Sequence, residues 1–77
     1  MDDEMDVGIL KLILDQEQVD PMVYSIGEYA DEALCIEMID GKWAVYGGDR
    51  GVRHELDLFD SEDEACRDFL ERLEDYI

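Results

Sequence analysis

Apolar and polar positions change period twice along this chain, from a helical spacing to a two-residue alternation and back. Ile9, Leu10, Ile13 and Leu14 fall at i, i+1, i+4 and i+5, which makes one stripe of a helix over about Asp3 to Gln18. Asp2, Asp3, Glu4 and Asp6 precede the stripe, where negative charge favours a helix N-terminus. Gly8 weakens a helix interior, and Gly8 to Leu14 also fits a short buried strand. Asp20-Pro21 ends the element, because the residue before proline is pushed out of the α region.

Beyond the proline the period becomes two. Met22 to Ile26 is short, β-branched and aromatic, and predicts a first strand. Ala33 to Ile39 alternates, with Leu34, Ile36 and Met38 on one side and Cys35, Glu37 and Ile39 on the other. Asp40-Gly41 suits a two-residue type I′ hairpin. That turn fixes a register in which Ile39 pairs with Lys42, Met38 with Trp43, Glu37 with Ala44, Ile36 with Val45 and Cys35 with Tyr46. Gly47 to Gly51 is read as the next turn. Val52 to Phe59 then alternates His54, Leu56 and Leu58 against Arg53, Glu55 and Asp57.

The helical period returns at the end. Ser61-Glu62-Asp63-Glu64 fits a capping box. Ala65, Phe69, Leu73 and Ile77, flanked by Cys66 and Leu70, form the stripe of a second helix. Arg67 and Arg72 stand among Glu64, Asp68, Glu71 and Asp75 at ion-pair spacing. The expected architecture is α+β, in the order α-β-β-β-β-α: a four-stranded antiparallel meander with two helices packed on one face. Its 77 residues make one compact domain.

Composition narrows the function. Asp and Glu number 23 against 6 Lys and Arg, a formal net charge of −17. Such a chain repels nucleic-acid phosphates and anionic membranes, so neither is a direct partner. The acidic N-terminus is the opposite of a secretory leader, and no apolar run is long enough to span a bilayer, so the expected compartment is the cytoplasm. Cys35 and Cys66 are too few for a disulfide scaffold, and with one histidine there is no zinc set. No cofactor or metal is expected.

Catalysis finds little support. Carboxylate pairs are everywhere, and nothing sets two of them in different environments. The acidic stretches Asp15–Asp20 and Asp60–Glu64 lack the glycine and closing glutamate of a calcium loop. His54 shares the parity of Leu56 and Leu58, which places it at the core or a sheet end rather than in a dyad with Cys35 or Cys66. The sheet face away from the helices is more informative. By parity it presents Cys35, Glu37, Ala44, Tyr46, Arg53, Glu55 and Asp57. Glu28, Tyr29, Asp31 and Glu32 lie in the preceding turn and Asp49 in the following one. Aromatic area amid acids suits recognition of a basic protein, with Tyr29, Tyr46 and Arg53 as anchors.

The runs Asp31 to Glu37, Asp40-Gly-Lys-Trp-Ala-Val-Tyr46, Asp49-Arg-Gly51 and Phe59 to Leu73 resemble small acidic immunity proteins of bacterial polymorphic or contact-delivered toxin systems. The resemblance covers roughly residues 20 to 73. It implies a cytoplasmic, non-enzymatic inhibitor that occludes the active site of one cognate basic toxin; the chain itself is expected to be a monomer or, through the sheet face, a weak homodimer. An alternative is an acidic nucleic-acid mimic that blocks a DNA- or RNA-binding protein.

Overall fold

The computed structural model describes residues 4–76. Asp2, Asp3 and Ile77, to which the sequence reading gave helix roles, lie outside them. The elements are α1 (Val7–Gln16), a 3-10 turn (Pro21–Val23), β1 (Tyr24–Ile26), β2 (Ala33–Ile39), β3 (Lys42–Asp49), β4 (Val52–Phe59) and α2 (Glu62–Leu73). The α-β-β-β-β-α order is as expected, and the ambiguous first element is a helix. Asp6 caps it, its side chain accepting from the Ile9 amide at 2.8 Å. Ser61 caps α2 in the same way, its Oγ accepting from the Glu64 amide at 3.1 Å. The Glu64 carboxylate reaches back to the Ser61 hydroxyl.

Both helices lie on one face of the sheet. Leu10 and Leu14 of α1, Leu34 and Ile36 of β2, Val45 of β3, and Ala65, Cys66, Phe69 and Leu73 of α2 form the main core. Ile13 is half-buried, while Ile9 and Leu12 are exposed. The two helix starts are joined by side chains. Glu62 accepts from the Val7 amide at 2.8 Å and Asp63 from the Met5 amide at 2.6 Å, so α2's first turn completes the capping of α1.

The β2–β3 register matches the sequence reading at all five expected pairs, and Asp40 and Gly41 both have positive φ, as a type I′ turn requires. Three features differ. First, the sheet is mixed: order β1-β2-β3-β4, with β1 parallel to β2 (Tyr24 beside Leu34, Ile26 beside Ile36) and the other pairs antiparallel. A parallel neighbour usually needs a crossover of about a dozen residues. Here residues 27–32 suffice, because six residues span up to about 20 Å and a three-residue strand rises only about 10 Å.

Second, Gly47 and Gly48 belong to β3 rather than to a turn. Asp49 pairs with Val52, so the connection is only Arg50-Gly51, both at positive φ.

Third, β4 carries a bulge. Val45 pairs with Asp57 but Gly47 with His54, so Glu55 and Leu56 together oppose Tyr46. Glu55 takes φ 54°, the left-handed geometry of such an insertion. The extra residue reverses the parity of everything beyond it. Asp57 therefore shares the helix face with Val45 and bonds Arg72 of α2 at 2.5 Å, while Leu58 shares the far face with Ala44. Leu56 and Leu58, expected on the face of His54, are turned away from it and exposed, while His54 keeps the helix-side face beside Gly47 and is exposed there.

Candidate protein-binding face

The far face is built on the odd residues of β2 and the even residues of β3, as parity requires. Half of it is closed. The crossover runs over it and packs Tyr29 and Ala30 against Ala33, Cys35, Ala44 and Tyr46, a second small core. Gly48 makes this possible: a Cβ there would stand 2.2 Å from the Ala30 carbonyl oxygen. Glu32 donates its amide to the Gly48 carbonyl at 2.7 Å, and Gly27 donates to Ile36 at 2.8 Å, pinning both ends of the crossover.

Tyr46 is accordingly buried, not exposed as the sequence reading had it. Its ring stacks on Tyr29 with centroids 6.2 Å apart, and its hydroxyl donates to Glu37. The Arg53 guanidinium sits 5.5 Å from the Tyr29 ring and 5.2 Å from the Tyr46 ring, and 3.3 Å from the Glu37 carboxylate. Burial, and then the bond to Glu37, push the Tyr46 hydroxyl far above its ordinary pKa, so it remains a donor at any physiological pH. Tyr29 donates to Asp31, and the Gly51 amide donates to both the Tyr29 hydroxyl (2.7 Å) and Asp31 (3.1 Å). The bond from the Tyr29 hydroxyl, and then that from the Gly51 amide, hold the Asp31 carboxyl below the usual range. The cluster thus ties the crossover to the β3–β4 turn.

Of the residues singled out in the sequence, Tyr29, Asp31, Glu37, Tyr46 and Arg53 are brought together. Glu28 and Glu32 are exposed on the crossover and Asp49 at the turn. Asp57 is separated from them on the helix face, and Glu55 is the bulge residue, its carbonyl accepting from Arg72 at 2.8 Å. The parity argument missed Leu56 and Leu58, which are 38% and 51% exposed on the open half of the far face. No sequence signal announced the inversion, since the bulge residue is a glutamate and not the glycine that marks such a site. Among the described residues no group of three or more His, Cys, Asp or Glu side chains is placed to hold a metal ion. No described helix is long and apolar enough to cross a membrane. Comparison of the chain with protein-family models, with curated proteins and with solved structures found no match in any of the three.

Proposed function

We propose that this chain is a protein-binding module without catalytic activity, one that inhibits a basic partner by covering it. In particular, we read it as a cytoplasmic immunity protein that occludes the active site of a cognate bacterial toxin domain. The observation that carries the reading is the charge and its disposition. Six bases cannot neutralise 23 acids, and Lys42, Arg53, Arg67 and Arg72 are already engaged with Asp60, Glu37, Asp63 and the Asp57–Asp68 pair. The remaining carboxylates form a field that steers a cationic surface toward the molecule, raising association rates by roughly 10- to 1000-fold at low salt.

The anchors assigned from sequence are revised accordingly. Tyr46 stiffens the face from beneath, while Tyr29, Arg53, Leu56 and Leu58 supply contact area at its surface. Glu28, Asp31, Glu32 and Asp49 supply charge along the crossover. Co-expression with the protein encoded by the adjacent gene tests the reading. A stable one-to-one complex and rescue from toxicity are expected, with association slowing as salt rises. No complex and no rescue would overturn it.

A further inference from the structure

One edge of the sheet is open. β4 is the outermost strand, residues Val52 to Leu58 are exposed, and among the described residues no backbone bond closes its outer side. The bulge at Glu55, with its carbonyl taken by Arg72, interrupts that edge at one end. At the other, Asp60 and Ser61 lead into α2. What remains is a four-residue stretch, Leu56-Asp57-Leu58-Phe59. The two sides of this stretch differ in kind. Leu56 and Leu58 face away from the helices, continuing the apolar far face of Ala44 and Ile39. Asp57 faces the helices, and its side chain is 66% exposed even while bonded to Arg72.

We infer, building on the basic-partner reading above, that this edge receives an extended strand of that partner, one whose side chains alternate apolar and cationic. Strand addition supplies main-chain bonds from any sequence, and the alternate side chains supply choice. An added strand places every second side chain beside Leu56 and Leu58 and the intervening ones beside Asp57. The same edge of a second copy fits poorly. Antiparallel pairing about Asp57 sets that carboxylate against its own counterpart and joins two chains of net charge −17. A cationic strand meets neither obstacle.

Two blocked heptapeptides serve as probes, one alternating lysine and leucine, the other lysine and serine. The lysine–leucine peptide is expected to bind about tenfold or more tighter, because leucine side chains are buried on binding and serines are not. It is also expected to slow amide exchange within Leu56–Phe59. Leu58→Thr, a change at an exposed strand position, should erase most of that preference while leaving the free protein's spectrum otherwise intact. Equal binding of both peptides, with amide shifts spread over the acidic surface, would overturn the strand site and leave the basic-partner reading standing. Binding of neither would count against both. A concentration-dependent dimer that protects the same outward-pointing amides of Leu56–Phe59 without peptide would overturn the choice of occupant.

Discussion

At the scale of single residues, two positions shape the far face, Glu55 by its backbone conformation and Gly48 by its lack of a side chain. Glu55 is a non-glycine residue at φ 54° inside a strand, a geometry that costs about 1 kcal/mol or more for a side chain with a Cβ. Glycine relieves that cost but has more freedom to lose on folding. Glu55→Gly is therefore expected to leave stability unchanged or raise it by up to about 1 kcal/mol, measured by urea denaturation. A clear loss would mean that the glutamate side chain holds the bulge. Gly48 is the opposite case. Alanine there would drive a methyl group into the Ala30 carbonyl, so the crossover must lift. The expected cost is about 2 kcal/mol. Cys35, whose thiol lies beneath the crossover 3.5 Å from that carbonyl, should react with a thiol reagent much faster in Gly48→Ala than in the parent protein. Cys66 provides an internal control. It is buried in the other core, and burial, followed by Glu62, Asp6 and Asp63, pushes its thiol to about 11, so its reactivity should stay low in both proteins.

At the scale of elements, α1 depends on carboxylates borrowed from α2. The Arg67 side chain and then the Met5 amide hold Asp63 below its ordinary value of 3.8. A depressed carboxyl stabilises the fold above its unfolded pKa, and the contribution is lost as pH falls through the folded value. The start of α1 is thus expected to loosen below about pH 4, seen as faster amide exchange near Met5 while the β2–β3 hairpin stays protected. Asp63→Asn should show the loosening near Met5 already at neutral pH. Elements also mark what could be read from sequence. The β2–β3 register was legible because Asp40-Gly41 and the alternation of large residues admit one pairing. The helix of residues 62–73 was legible from its cap and stripe. The parallel placement of β1 was not, since three residues carry too little pattern to choose a neighbour. The far face was half legible: Glu37, Tyr46 and Arg53 share it as parity required. One glutamate in a left-handed conformation then exchanged Asp57 for Leu58.

At the scale of the whole molecule, self-repulsion works against compactness. Raising sodium chloride from about 0.05 to 0.5 M shortens the screening length from roughly 14 to 4 Å and should raise the melting temperature by several degrees. Two of the ion pairs that salt weakens, Lys42–Asp60 and Arg67–Asp63, are largely exposed, and exposed pairs contribute little. A lower melting temperature in salt would show that the Glu37–Arg53 and Asp57–Arg72 links outweigh the repulsion among the remaining acids. The same salt should slow association with a basic partner. Stability and capture are thus expected to respond to ionic strength with opposite sign, which distinguishes a surface charged for recognition from one charged only for solubility.

The crossover also sets an order of events. Hairpins β2–β3 and β3–β4 close over two-residue turns and can form early, because little loop entropy is lost. Residues 27–32 have no surface to lie on until Cys35, Tyr46 and Gly48 stand side by side, and the parallel β1 reaches β2 only through that six-residue connection. The segment from β1 to the crossover is thus expected to fold late, after the transition state. Tyr29→Ala should speed unfolding and leave the refolding rate nearly unchanged in stopped-flow measurements. Brief excursions in which the crossover alone lifts, with Tyr24 and Ile26 of β1 still packed on the helix-side core, would uncover the rest of the far face, so the area available to a partner is governed by a local opening equilibrium as well as by the closed surface.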